Sequence, residues 1–218
     1  PEGINKNGHG EVFDVDSQMR MSTTFGAHLA GDPRLSVLFA PGSSNAAGEI
    51  IGMPNGRTSD DYTGADGQTY AGIADRTIYA ETHPALRKRD VPMVLLTTAE
   101  VHFLIGEAIV RGWVSGDAKT YYDAGVTAAM TMLADFYPDS TPIAQADIDA
   151  FLAGPGAYDS SKGWEMVMNE YWKATFLNEY EAYANWRRTG YPTLSPTQHP
   201  NSVSGNQIMR RMIYPGGE

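Results

Sequence analysis

The chain has 218 residues and no cysteine, and its 26 acidic residues against 16 basic ones give a formal net charge of −10. This charge argues against a nucleic-acid partner, because binding to phosphates requires a basic face. The lack of cysteine excludes a disulfide framework, a thiolate metal site and a cysteine nucleophile.

Composition divides the chain into two portions, which we expect to form one structural domain. Residues 1–92 are rich in Gly, Pro, Asp and Ser, and we predict a loop-rich irregular portion with one short helix over residues 17–29. Residues 35–39 and 49–53 resemble short strands or extended segments. Residues 93–218 are predicted to form a helical scaffold with a C-terminal segment.

The scaffold begins with a capping box. The Thr97 side chain accepts a bond from the N–H of Glu100, and the Glu100 side chain reaches back. This pattern predicts a helix that runs to about Val114. A short turn follows, and Asp117 caps a second, antiparallel helix that ends at about Tyr137.

The first of these helices carries apolar residues on one face at helical spacing, namely Val101, Leu104, Ile105 and Ala108. We place Gly106 where the two helices approach closely. Together with the Ala118-x3-Tyr122 spacing and Gly125 of the second helix, this glycine resembles part of a tetratricopeptide repeat. An ordinary helix hairpin with small contact residues explains the pattern equally well.

Two further helices are predicted downstream, a short one over residues 147–153 and a long one over residues 161–187. The long helix is apolar and aromatic on nearly all sides, which predicts that it is largely buried. Buried carboxylates need partners, which makes Glu170, Glu179 and Glu181 of this helix residues of interest. Arg187 and Arg188 are the nearest candidate partners.

The sequence carries no standard catalytic or cofactor motif, so we predict no catalytic residue, no cofactor and no metal site. Its five histidines are far apart and share no ligand spacing. A pair of carboxylates for glycoside hydrolysis stays possible, because their separation is a property of the fold rather than of the sequence.

Residues 59–67 form an Asp-rich stretch in the first portion. It lacks the alternating acidic order and the trailing Glu of a calcium loop, and we interpret it as a solvated turn. Tyr62, Asp66 and Tyr70 lie in or beside it and are our candidate ligand-binding residues. Sugar sites combine a flat aromatic face with a few planar polar groups. Packing of these tyrosines against the helical scaffold is the alternative.

Three segments resemble the SusD/RagB family of outer-membrane lipoproteins. Residues 181–192 (Glu-Ala-Tyr-Ala-Asn-Trp-Arg-Arg-Thr-Gly-Tyr-Pro) are similar to the family signature E-x-W/Y-x-x-W-R-R-T-G-Y-P. Residues 100–118 resemble the family's helix hairpin, and residues 210–215 resemble its closing segment.

The resemblance implies a mainly α-helical fold, in which a tetratricopeptide-like scaffold bears a long irregular portion and short strands. It implies that the chain is the C-terminal portion of a protein about twice as long. The implied location is the surface of the outer membrane, with a lipid anchor on an N-terminal cysteine that lies outside these residues. Arg187, Arg188 and Tyr191 are implied to fix a helix end against the core rather than to bind ligand.

The function that the resemblance implies is non-catalytic. The protein would bind an oligosaccharide and deliver it to a SusC-like TonB-dependent transporter, its partner in the membrane. Two alternatives stay open. A peptide- or protein-binding helical module would use a groove of the scaffold, and a glycan hydrolase would require two carboxylates that converge in a cleft.

Overall fold

The computed structural model describes residues 6–15 and 19–211 of the chain. These residues are mainly helical, which confirms the predicted fold class. The helices are α1 (Gly8–Val15), α2 (Thr23–His28), α3 (Leu35–Leu38), α4 (Thr98–Val110), α5 (Ala118–Phe136), α6 (Gln145–Ala153), α7 (Gly163–Ala174) and α8 (Glu179–Thr189). In the part of the chain that is described, no helix has both the length and the apolar character needed to cross a bilayer.

The strands are short and belong to the loop-rich portion. β1 (Phe39–Ala40) pairs antiparallel with β4 (Glu81–Thr82). β2 (Tyr62–Thr63) pairs antiparallel with β3 (Thr69–Tyr70). Each pair holds together two loops that would otherwise have no regular partner for their backbone groups.

The helix predicted over residues 17–29 begins late, as α2, and positions 17 and 18 lie outside the described residues. Met21 is not helical, because its carbonyl accepts a bond from the N–H of Met53 at 2.7 Å. Met53 lies in the segment 49–53 that we expected to be a strand or extended. The pairing there is only an isolated parallel bridge with Ser22.

Residues 35–39 do not form the predicted strand, because the chain turns into the short helix α3 before β1 begins. The carboxylate of Asp32 starts this turn by accepting a bond from the N–H of Arg34 at 3.0 Å. The turn directs Val37 and Leu38 into the core. Burial by tertiary packing therefore overrides the local preference of these apolar residues for a strand.

The helix hairpin of α4 and α5 is confirmed together with both of its caps. Thr97 and Glu100 form the reciprocal capping box. Asp117 accepts bonds from two backbone N–H groups at the start of α5. α4 ends at Val110, earlier than predicted, because the chain reverses at Gly112 with φ of 72°.

The buried face of α4 differs from the predicted one. Val101 and Leu104 are each 43% exposed, whereas Phe103, Gly106 and Glu107 are buried. The helix is apolar on more than one face, and the face that packs is the one that contains a carboxylate. An apolar pattern does not detect such a face, because a buried carboxylate is acceptable only when a cation elsewhere in the fold neutralises it.

The closest approach of α4 and α5 lies at Gly125 rather than at Gly106. A Cβ added at Gly125 would lie 2.5 Å from the ring of Phe103. At Gly106 the nearest atoms, on Val167, would be 3.7 Å away, which is ordinary van der Waals contact. The small residue that the hairpin requires is therefore the one on the second helix.

The long helix predicted over residues 161–187 is wrong, because two helices, α7 and α8, occupy this stretch. The chain turns between them at Leu177, whose φ of 68° is incompatible with a continuous helix. Asn178 then caps α8 with its side chain. α7 is largely buried, but in α8 only Asn185 and Trp186 are, so the prediction of burial holds for the first half alone.

The core consists of two hydrophobic clusters. One lies between helices α4, α5, α6 and α7. The other joins the loop-rich portion to the scaffold, where the ring of Phe25 lies 4.9 Å from that of Trp172 and 5.3 Å from that of Phe176. The loop-rich portion therefore packs directly on the end of α7.

A buried ionic cluster crosses the same boundary. Arg34 is 1% exposed and donates to Asp32 through Nε at 2.9 Å and to Glu170 through Nη2 at 2.7 Å. Lys173 contacts both of these carboxylates. Burial alone would raise the pKa of Asp32, but hydrogen bonds and charge from Arg34, together with the charge of Lys173, hold it below its usual value. Glu170 thus has partners other than the arginines expected at the end of α8.

Candidate functional site

The three candidate ligand-binding residues lie on the hairpin of β2 and β3. Tyr62 is directly opposite Tyr70 in the register of this pair. Opposite residues on an antiparallel pair project from the same face, and the two rings are stacked with centroids 5.3 Å apart and planes 21° apart. Gly67, with φ of 77°, allows the tight turn that joins the strands.

Asp66 lies in the same turn and contacts the tyrosine pair. Its Oδ2 accepts a bond from the Tyr70 hydroxyl at 2.5 Å, and its Oδ1 accepts one from the N–H of Gln68 at 3.1 Å. The Tyr70 bond lowers the pKa of Asp66 and raises the pKa of Tyr70. An ionised carboxylate has about four acceptor positions, so Asp66 can still accept bonds from a ligand.

Two further residues belong to this site and were missed from the sequence. The guanidinium carbon of Arg57 lies 4.4 Å from the centroid of the Tyr70 ring. The ring of His199 lies 4.8 Å from that of Tyr62. His199 lies beside the hairpin because the preceding residue, Gln198, is bonded to it: the N–H of Ala65 donates to the Gln198 carbonyl at 2.9 Å. No local pattern relates these positions, since residue 199 belongs to the distant C-terminal segment.

We call this set the aromatic hairpin: Arg57, Tyr62, Asp66, Tyr70 and His199. It combines two stacked phenol rings with a cation, a carboxylate and an imidazole, on a loop whose tip is exposed. Tyr62 and Tyr70 are half-buried, because they cover each other and are covered by Arg57 and His199, so the part of each ring that stays exposed lies beside planar donors and acceptors. This surface therefore suits a ligand with apolar faces and hydroxyl-bearing edges.

A second cluster of titratable side chains lies between helices α4, α7 and α8. The Tyr171 hydroxyl donates to Glu181 at 2.6 Å and lies 3.5 Å from Glu100. Glu100 is 2% exposed, and burial raises its pKa. The space beside it is about 20 Å³, which is room for a water molecule and not for a sugar ring. These carboxylates therefore stabilise helix packing and do not line an open cleft.

The residues of the C-terminal signature contact neighbouring helices. Both terminal nitrogens of Arg188 donate to the carboxylate of Glu107, with Nη2 to Oε2 at 2.8 Å. Tyr191 packs against Trp164 in an edge-on arrangement with centroids 6.5 Å apart. These contacts fix the end of α8 to α4 and α7.

Comparison with known proteins gives a family and several similar structures. The model of the SusD-like family, described as starch-binding and associating with the outer membrane, matches residues 6–215. A chitin-binding protein superposes with a TM-score of 0.80 at 32% identity, over 96% of this chain and 46% of its own. A SusD-like protein from Bacteroidetes gives 0.71 at 25% identity, over 90% and 48%. A SusD homologue from Bacteroides fragilis superposes with a TM-score of 0.69 at 26% identity, over 90% of this chain and 45% of its own.

No curated protein matches the sequence. The chain spans less than half the length of each of these three solved structures. The two portions of the chain described above are both included in the superpositions, which cover 90% or more of it.

Proposed function

The chain belongs to the SusD-like family, and from that premise we propose that it is a non-catalytic glycan-binding protein of the outer membrane. In this proposal it is attached to the cell surface through a lipid, captures an oligosaccharide and delivers it to a SusC-like TonB-dependent transporter. The family description and a chitin-binding relative at 32% identity support a glycan as the ligand.

The observation that carries the proposal is the aromatic hairpin. A pyranose ring is apolar on its faces and bears hydroxyls around its rim, so it binds to an aromatic surface edged with planar polar groups. Tyr62 and Tyr70 supply the surface. Asp66 supplies acceptors for the rim hydroxyls, and Arg57 supplies donors. No bond is made or broken in this binding.

Calorimetry with maltooligosaccharides, chitooligosaccharides and a set of unrelated peptides tests the proposal. We expect the chain to bind at least one oligosaccharide series and none of the peptides. Replacing Tyr70 by Ala removes half of the aromatic surface, and we expect it to weaken glycan binding about fivefold or more.

Tyr180→Ala is the matched control, because Tyr180 is 90% exposed on α8, outside the aromatic hairpin. We expect this variant to bind glycan like the unmodified chain. Unchanged binding in Tyr70→Ala, with glycan still bound, would remove the hairpin from the proposal. Binding of peptides without any glycan would instead favour a peptide-binding helical module. Circular dichroism of each variant checks that the fold is intact.

A further inference from the structure

A second aromatic and charged cluster lies where helix α4 ends. The guanidinium carbon of Arg111 lies 4.0 Å from the ring of Trp164 and 4.8 Å from the ring of Trp113. We call these three residues the indole clamp. Two indoles on one guanidinium hold its plane and leave the edge of the group as its route to a ligand.

The local sequence builds the clamp at the turn after α4. Gly112 takes the left-handed conformation with φ of 72°. The N–H of Trp113 then donates to the carbonyl of Ala108 at 2.8 Å, which holds Trp113 beside Arg111. Trp164 comes from the first turn of α7 and is braced by Tyr191. Three separate parts of the chain therefore fix the geometry.

The clamp carries an excess of positive charge. Glu107 is 2% exposed and is shared between two cations, because Nε of Arg111 lies 2.9 Å from its Oε1 and Arg188 binds both of its oxygens. One carboxylate thus faces two guanidinium groups. Within the described residues, neither terminal nitrogen of Arg111 has a hydrogen-bond acceptor. This local surplus occurs in a chain whose formal net charge is −10.

The clamp is also open to solvent. Trp113 is 66% exposed, and the Arg111 side chain is 33% exposed. An indole held open beside a guanidinium with free donors combines a flat apolar face with an anion receptor. A guanidinium edge matches a carboxylate in a bidentate arrangement, and an indole face matches the C–H face of a sugar ring.

We propose that the indole clamp is a subsite for a sugar residue that bears an anionic group, with the carboxylate of a hexuronate as its preferred ligand. The inference rests on the proposed function and specifies its substrate class. Arg111 binds the carboxylate through its terminal nitrogens, and Trp113 stacks on the ring of the same residue. The aromatic hairpin presents the carboxylate of Asp66 and serves neutral sugars, so the two surfaces select different residues of a mixed glycan.

Calorimetry with trigalacturonic acid and with its methyl ester tests the subsite, since the ester keeps the sugar rings and loses the charges. We expect the acid to bind about tenfold more tightly than the ester, because hydrogen bonds to charged groups exceed neutral ones by this order. Arg111→Gln should reduce the affinity for the acid to that for the ester, and it should change the affinity for the ester by no more than about twofold. Trp113→Ala should weaken both by about fivefold.

Lys119→Gln is the matched control, because it removes a neighbouring exposed cation that is paired with Asp123. We expect it to change neither affinity. A sulfated galactose trisaccharide distinguishes the source of the anion, and its tighter binding would overturn the preference for a carboxylate. Equal binding of acid and ester, or unchanged binding in Arg111→Gln, would overturn the subsite.

The outcomes also separate the two proposals. If neutral oligosaccharides bind and lose affinity in Tyr70→Ala, but trigalacturonic acid binds no more tightly than its ester, the proposed function stands and the subsite is wrong. If no saccharide of any kind binds, the proposed function itself fails and the subsite fails with it. Trp113→Phe keeps a flat ring and should retain most of the acid affinity, which distinguishes stacking from a change in the fold.

Discussion

The loop-rich portion and the helical scaffold satisfy their backbones in opposite ways. In the scaffold, α4 and α5 bond within themselves and bury their side chains against each other. In the loop-rich portion, backbone groups bond to distant loops, as Met21 does to Ala80 and Ala65 to Gln198. Loops on a rigid scaffold are where binding residues concentrate. The aromatic hairpin follows this division, whereas the indole clamp lies where helix α4 ends and helix α7 begins.

The comparison also shows where the two portions depend on each other. Arg34 comes from the loop-rich portion, but its carboxylate partner Glu170 belongs to α7. Phe25 likewise packs on Trp172. We therefore expect the two portions to unfold together.

The largest effect is expected at the junction. Arg34→Met would leave two buried carboxylates with Lys173 as their only cation among the residues that the structure describes, and breaking a buried ion pair destabilises by about 3–5 kcal/mol. Arg87→Met is the control, because Arg87 pairs with Glu81 in a partly exposed position of the loop-rich portion, where Glu81 keeps Arg20 as a second cation. We expect the loss of this pair to destabilise less than the loss of the buried one. Urea unfolding, followed by far-UV dichroism and by tryptophan fluorescence, measures both. Equal losses of unfolding free energy in the two variants would contradict the expectation that the two portions unfold together. So would dichroism and fluorescence transitions that do not coincide.

A smaller effect is expected within the scaffold. Gly125→Ala would place a methyl group 2.5 Å from the ring of Phe103, and overpacking of this kind destabilises by about 1–3 kcal/mol. Gly106→Ala is the matched control, since its methyl group has room and Ala favours the helix by up to about 1 kcal/mol. Thermal unfolding compares the two. Stabilisation by both substitutions would show that the hairpin relaxes at Gly125.

The smallest effect concerns pH. Burial raises the pKa of Glu100 above its ordinary value of 4.5, with a further contribution from the charge of Glu181. The folded state therefore binds the proton more tightly than the unfolded state, so the contribution of Glu100 is fully present below pH 4.5 and is lost as the pH rises through the raised pKa.

Glu100→Gln keeps the shape of the capping box and removes this titration. We expect the variant to gain stability relative to the unmodified chain as the pH rises from 4 to 7. The difference between their free energies of unfolding, measured over this range in urea, isolates Glu100 from Asp32, whose pKa shifts in the opposite direction. A difference that does not change with pH would contradict the expectation.

Much of the scaffold could be predicted from the sequence, because its signals are local. Thr97, Glu100 and Asp117 mark helix starts through bonds to residues no more than three positions away. The break at Leu177 was missed although Asn178 marks the start of α8 with a local side-chain cap, because aromatic residues occur on both sides of it and favour one continuous helix. The buried face of α4 was missed because it contains Glu107, which pairs with Arg111 one turn later and with Arg188 from the distant helix α8.

The candidate site shows the same limit. Tyr62, Asp66 and Tyr70 are close in sequence, and a tight hairpin is enough to bring them together. Arg57 and His199 join them through tertiary structure, and the sequence contains no spacing that relates residue 199 to residue 62. Local patterns thus identify residues of one turn and leave out those that the fold delivers from elsewhere.

The separation of Arg34 from Glu170 has a consequence for the order of folding. The two residues lie 136 positions apart, so their contact closes a long loop and is entropically late. The α4–α5 hairpin is built from near neighbours and has its own caps, so it can form first. We therefore expect the scaffold to act as a template on which residues 19–96 become ordered, and the aromatic hairpin to be completed last, because His199 reaches it from the distant C-terminal segment.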